Sequence, residues 1–204
     1  MLRNDRPCVR IVEDESAVCR LYSLLMESSG FESRCYKSAE QFIADDELSE
    51  PGCVLVDLEL EGLSGVELVA WINQQENHLP TIVVTGRGST QSAVRCLKSG
   101  ALDFVEKPVD SSALMELVQQ AVELDASRRV ARHRLTELKR RYATLTAREQ
   151  QVLICLSEGL STKQVAGQLG IAPKTAEHHR GSVMKKMNAS SVAELVKAFL
   201  DLGI

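Results

Sequence analysis

VLVDLELEGLSGVEL, residues 54–68, decides the fold. Its first three residues form a short apolar run of strand type that ends on a carboxylate, Asp57. A loop with Gly62 follows, then Ser64 as a helix N-cap before an apolar pattern of helical spacing over 66–73. Strand, loop and helix in that order make one βα unit. Working outward, further short apolar runs lie at 9–12, 82–85 and 101–105, with a weaker one at 32–36, and amphipathic stretches of helical length separate them. That alternation predicts a parallel sheet covered on both faces. Ser38 with Gln41, in capping-box spacing, and Ser89 mark two further helix starts.

In a sheet of this kind the site lies at the carboxyl ends of the strands. Glu13 and Asp14 follow the first strand, Asp57 ends the third, Thr85 ends the fourth, and Lys107 with Pro108 follows the fifth. Three carboxylates converging on one spot repel one another and call for a cation; oxygen ligands favour Mg²⁺. Such a cation neutralises an incoming phosphoryl group, while Asp57 attacks as a carboxylate nucleophile to give an acyl phosphate. Lys107 then pairs with phosphoryl oxygens, and the Thr85 hydroxyl donates to one of them.

The segments IVEDES, VLVDLELEGLSGVEL, IVVTG and GALDFVEKP resemble the receiver domain of two-component response regulators over about residues 7–124. The resemblance implies a CheY-like (flavodoxin-like) α/β domain with a five-stranded parallel sheet. By it, Asp57 is the phosphoacceptor, and Glu13 and Asp14 are the metal-binding acid pair. The backbone carbonyl of Glu59 is a further metal ligand, Thr85 and Phe104 are the switch pair, and Lys107 is the active-site lysine before a cis proline. Two departures stand beside the site: Glu61 replaces the proline common four residues after the phosphoacceptor, and Glu59 adds a carboxylate. Glu59 and Arg87, each two residues beyond a site residue, are candidates for an ion pair over the site mouth.

From Thr146 onward the sequence reads as four short helices. Thr146 with Glu149 caps the first, which Gly159 ends; Ser161 opens the second, 162–169, which Gly170 ends; Pro173 starts the third; the fourth covers 191–202. The pair around Gly170 has helix-turn-helix layout. Ala176, His179, Val183 and Met187 repeat on one face of its second helix, leaving Lys174, Glu177, His178, Gly181 and Lys185 on the other. LTAREQQVL, LSTKQVAGQLGI and PKTAEHHRGSVMKKM resemble the LuxR-type module of the NarL/FixJ regulators, the FixJ branch most closely. The resemblance implies base contacts by Glu177 and His178 and phosphate contacts by Lys163, Lys174, Thr175, Arg180 and Lys185. Ala172 stands where the family often has an N-capping Ser.

The expected organisation is a receiver at 1–124, a helical linker at 125–144 and an all-α LuxR-type helix-turn-helix domain at 145–204. Charge divides the same way: residues 1–124 hold 21 acidic and 10 basic side chains, residues 125–204 hold 7 and 14. A nucleic acid prefers the second part. Leu114, Leu117, Ala121, Leu124, Arg128, Ala131, Leu135, Leu138, Tyr142 and Leu145 recur at spacings of three and four. That stripe suits either a coiled-coil seam with a second chain or a lone helix packed on its own receiver.

A receiver joined to such a module implies a sensor histidine kinase as phosphoryl donor and double-stranded DNA as target. It also implies a homodimer on activation, and RNA polymerase as a further partner. No segment has the length and apolarity of a membrane span or a signal peptide, so a cytoplasmic regulator without membrane association is expected. The six cysteines are scattered, without CxxC pairs or zinc spacing, which predicts reduced, mostly buried thiols. Two other readings compete. An aspartyl phosphatase would carry a second Asp where Glu59 stands; a constitutive DNA-binding regulator would keep its receiver only for dimerisation.

Overall fold

The computed structural model describes residues 6–45, 48–86 and 90–203. Two compact units divide between Arg128 and Arg129. Helix α5, Ser111–Ala143, begins in the first unit, runs through most of the segment expected as a helical linker and ends in the second.

In the first unit five parallel strands, β1 (Cys8–Val12), β2 (Glu32–Tyr36), β3 (Gly52–Asp57), β4 (Thr81–Thr85) and β5 (Asp103–Glu106), take the order β2-β1-β3-β4-β5. The apolar runs of β1, β3 and β4 are buried along their whole length because helices cover both faces. On one face Val9, Ile11, Leu55 and Val84 meet α1 (Ser16–Ser28) through Cys19, Tyr22 and Met26, and α5 through Leu114, Val118 and Ala121. On the other, Val54 and Val56 meet Phe42 of α2 (Ala39–Asp45) and Leu68 and Ile72 of α3 (Gly65–Gln74), while Val83 packs with Cys96 of α4 (Thr90–Lys98).

Ser64 caps α3 in a reciprocal box with Glu67, and the Ser38 hydroxyl accepts from Gln41 N at 3.2 Å at the start of α2. The Ser89 start lies outside the described residues. The fifth strand begins at Asp103 rather than Ala101, whose side chain is buried in the approach to it. Within the apolar-looking first run, Arg10 is only 1% exposed; its guanidinium donates to the carbonyl oxygens of Cys8 and Glu50 at 3.2 and 3.5 Å. Asp125, also buried, accepts from Gly52 N at 3.0 Å and so ties α5 to the amino end of β3.

Two cysteines depart from the expected reduced state. Cys19 and Cys35 form a disulfide across α1 and β2, with Cα atoms 6.2 Å apart. The pairing is tertiary, between residues 16 apart in sequence, and no spacing motif announces it. Cys8, Cys53, Cys96 and Cys155 are free and buried, as expected.

The second unit packs the end of α5 with α6 (Ala147–Ser157), α7 (Thr162–Leu169), α8 (Pro173–Met187) and α9 (Val192–Leu202). Its core joins Val152, Leu153, Leu156, Val165, Val183, Met187, Leu195 and Leu202 to Leu138 and Leu145, with Leu135 and Tyr142 against it. The α5 stripe is thus divided, within one chain, between two cores at its ends, so the helix does not pack its whole stripe on the receiver. Leu114 and Ala121 serve the first unit and Leu135, Leu138 and Tyr142 the second, while Ala131 between them is exposed.

Gly170 ends α7 at φ 62°, the left-handed conformation that turns the chain into α8. Ala172 is the N-cap of α8, and no side chain caps that helix. Ala172→Ser is therefore expected to stabilise the protein by about 1 kcal/mol. Urea unfolding of the two proteins at neutral pH checks this, the midpoint moving up at unchanged slope.

Candidate functional site

Each expected residue at the carboxyl edge of the sheet arrives on its own strand. Asp57 is the last residue of β3, the middle strand; β3 pairs with β1 as far as Val56 and with β4 through Asp57 itself, opposite Val84. Gly65 lies just behind it: a Cβ there would collide with the Asp57 carbonyl oxygen, so the glycine permits α3 to start against the site. Lys107 directly follows β5 and precedes Pro108 through a cis bond, and its backbone N donates to Thr85 O at 2.7 Å. Its Nζ lies 2.7 Å from Asp57 Oδ2 and 2.9 Å from Glu13 Oε2.

That ammonium group is the only one the structure brings between two of these carboxylates among the described ion pairs. Burial alone would lower the pKa of Lys107; its bonds to Asp57 and Glu13 outweigh this and raise it, which keeps the amine charged. Glu13, 3% exposed, moves up from the ordinary carboxylate range chiefly through burial, with the charge of Asp57 adding to the shift and Lys107 opposing it. Asp14 is exposed beside it. The second oxygen of Asp57 accepts from Glu59 N at 3.0 Å, and Glu13 Oε1 accepts from Glu15 N at 3.3 Å.

One lysine cannot balance Glu13, Asp14 and Asp57, and every nearby donor is oxygen. This fits a small divalent cation such as Mg²⁺. Among the described residues no three carboxylate, His or Cys side chains form a closed metal cage. Mg²⁺ suits so open a site, because it keeps several waters and takes few protein ligands.

Thr85 is fully buried at the end of β4, and Phe104, on β5 opposite Val83, is half-buried against Cys96 and Ala101. The side chains of Glu59 and Glu61 are exposed. The loop they occupy is nonetheless held from α2, where the Glu40 carboxylate accepts Leu63 N at 2.8 Å; this bond holds Glu40 below the usual carboxylate range. Arg87, and with it the expected pair with Glu59, lies outside the described residues.

In the second unit Lys174, Thr175, Glu177, His178, Gly181 and Lys185 are all exposed on α8, and Lys163 is exposed on α7. Ala176, Val183 and Met187 are buried on the opposite side, with His179 half-buried. Arg180 is half-buried and donates to Thr162 Oγ1 at 3.1 Å, so it braces α8 on α7 as well as lying near their shared surface.

Two cations that the sequence did not single out fix the far end of α8. Lys186 Nζ donates to Glu149 Oε2 at 2.6 Å and to Thr144 O at 3.1 Å, and Arg141 donates to Met187 O at 3.4 Å. Glu149 thus serves twice, as the capping-box acid of α6 and as partner of Lys186, and both roles hold its pKa down. A carboxylate lowered in the fold contributes stability above its ordinary pKa, and that contribution fades as pH falls through the folded value. Lys186→Met is expected to lower stability by about 1–2 kcal/mol at neutral pH, a buried-pair cost discounted for the lysine's partial exposure. Denaturant unfolding of both proteins across pH checks it, the gap closing as pH drops below 4.5.

Comparison with known proteins agrees with this division. The response regulator receiver domain model matches residues 9–119, and the model for bacterial regulatory proteins of the luxR family matches residues 143–199. The transcriptional regulatory protein FixJ of Azorhizobium caulinodans is 38% identical, the match covering 96% of this chain and 93% of FixJ. The response regulator protein TodT of Pseudomonas putida is 34% identical, over 93% of this chain and 83% of TodT. Among solved structures, the response regulator StyR superposes at TM-score 0.86 with 35% identity, covering 96% of this chain and 98% of StyR. Full-length FixJ from B. japonicum superposes at 0.59 with 31% identity, covering 97% of each chain. With its parallel-sheet receiver, its helical second unit and relatives that match nearly its whole length, the chain belongs to the FixJ-type transcriptional response regulators, which join a receiver to a LuxR-type DNA-binding domain.

Proposed function

We propose that Asp57 is the phosphoacceptor of this regulator and that its phosphorylation controls DNA binding by α8. The observation that carries this reading is the Lys107 ammonium held 2.7 Å from Asp57 Oδ2 and 2.9 Å from Glu13 Oε2. An ammonium so placed stays charged and is positioned to pair with a phosphoryl oxygen once Asp57 carries the group. Asp57 attacks phosphorus through a carboxylate oxygen; an O–P bond forms as the N–P bond of the donor's phosphohistidine breaks, and the imidazole leaves with a proton from solvent. Thr85 and Phe104 respond as the switch pair. Glu13, Asp14, Asp57 and the Glu59 carbonyl would hold Mg²⁺, which when bound neutralises charge on the transferred group.

A sensor histidine kinase is the donor. Beside Lys107 and Pro108 an apolar groove of about 510 Å³, lined by Val18, Leu21, Leu25 and Leu114 among others, offers a protein donor a place to sit. Leu21 and Leu24, 63% and 59% exposed, flank it. The chain acts as a regulator rather than as an enzyme with a substrate of its own. It works in the cytoplasm, pairs as a homodimer on activation and meets RNA polymerase at the promoter. Among the described residues no helix is long and apolar enough to cross a membrane.

At the DNA, Glu177 and His178 read base edges while Lys163, Lys174, Thr175, Arg180 and Lys185 contact phosphates, a division supported by the exposed face of α8 and by the net positive charge of 125–204. Incubation with Mg²⁺ and acetyl phosphate is expected to add the mass of one phosphoryl group, and Asp57→Asn to add none. An equal gain in both proteins would place the phosphate elsewhere.

On DNA, Lys174→Ala and Lys185→Ala should weaken affinity on all sequences and flatten its salt dependence by about one counterion each. His178→Ala should instead change the preferred base at one position of a selected site. Selection from a random DNA pool, followed by salt titration, measures both.

A further inference from the structure

Among the six cysteines, Cys19 and Cys35 are the joined pair and the only pair with one member exposed: Cys35 lies open on β2 and Cys19 lies buried behind it on α1. The other four are buried, and burial pushes their thiols up, Cys53 to about 12, so they are poor nucleophiles.

The bond also has a specific address. β2 is an edge strand, hydrogen-bonded to β1 alone. Next to Cys35, Tyr36 O accepts from Glu13 N at 2.9 Å; Cys19 N donates to Glu15 O at 3.0 Å. The two backbone bonds that hold the loop 13–15, with its acid pair, are therefore anchored beside the two cysteines, and the S–S bond closes a ring around that loop.

We propose that Cys19 and Cys35 form a reversible thiol–disulfide site, oxidised by low-molecular-weight disulfides such as glutathione disulfide, which sets the cation affinity of the Glu13–Asp14 loop. The inference rests on the reading of that loop as a Mg²⁺ site. In the first step the Cys35 thiolate, whose sulfur lies 3.2 Å from the Ser23 hydroxyl in the closed form, attacks the small disulfide; one small thiolate leaves and a mixed disulfide remains. Cys19, losing its proton to solvent, then attacks the Cys35 sulfur and expels the second thiolate. Two protein thiols are oxidised and one small disulfide is reduced to two thiols. Excess reduced glutathione runs both steps backward. A reducing compartment keeps such a bond open until the thiol pool is oxidised, which makes it a signal rather than a fixed staple.

With the bond closed, edge strand and helix hold the acid loop in one geometry. With it open, the loop must be ordered by the cation itself, at a cost in affinity.

The test uses the full chain equilibrated in glutathione mixtures of varied ratio, denatured, alkylated and weighed to count free thiols. Mg²⁺ affinity of the same samples is then measured by calorimetry. The expected result is four free thiols in oxidising and six in reducing mixtures, interconverting reversibly, with Mg²⁺ bound about threefold or more tighter in the oxidised form. Cys35→Ser, an exposed position, should show the weaker affinity whatever the mixture. Six thiols under all mixtures, or a thiol count that never changes back, overturns the proposal. Equal Mg²⁺ affinity in both forms overturns it while leaving the metal reading standing, whereas no Mg²⁺ binding in either form overturns both.

Discussion

The receiver is organised around one constraint: carboxylates brought to one edge of a sheet must be neutralised or they drive that edge apart. Lys107 meets part of the demand by donating to both Asp57 and Glu13. For it to do so, β5 must end beside β4, with Lys107 N on Thr85 O, and Asp57 must be held by the pairing of β3 with β4, opposite Val84. The strand order β2-β1-β3-β4-β5 delivers these ends together. What the lysine leaves unbalanced is the charge that a divalent cation, and then a phosphoryl group, can exploit.

Much of this was legible in the order of residues. Strand runs and helix caps rely on local chemistry, so Ser64, Thr146 and Ser161 cap the helices their spacing announces. Asp57, Thr85 and Lys107 could be placed because each ends or follows an apolar run whose direction in a parallel sheet is set. Features that depend on tertiary approach were not legible. Arg10 sits in a strand that looks apolar yet is satisfied by carbonyl oxygens at the sheet's far end. Cys19 and Cys35 meet only because α1 packs across β2. Glu40 steadies the loop after β3 from another helix, and Lys186 finds Glu149 across a distance of 37 residues in sequence.

The stripe on α5 shows why periodicity alone misleads. Spacings of three and four state only that one side of a helix is apolar; they do not say what covers it. Here the cover changes along the helix, from the α1-side core of the first unit at Leu114 and Ala121 to the helical core of the second at Leu138. The end of α5 is then bonded to the end of α8, through Arg141 to Met187 O and through Thr144 O to Lys186. In the second unit, the ends of α5 and α8 are thus fastened at one corner. Displacement of the first would be felt by the second.

The central claim is that charge chemistry at Asp57 governs DNA binding by α8. Its most direct measurement is the affinity of the full chain for a selected DNA site, at fixed salt and Mg²⁺, with and without beryllofluoride as a stable mimic of the phosphoryl group. The account predicts tighter binding with the mimic in the native protein and no response in Asp57→Asn. Equal affinity with and without the mimic in the native protein would contradict it, and would leave a regulator that binds DNA without reference to its receiver.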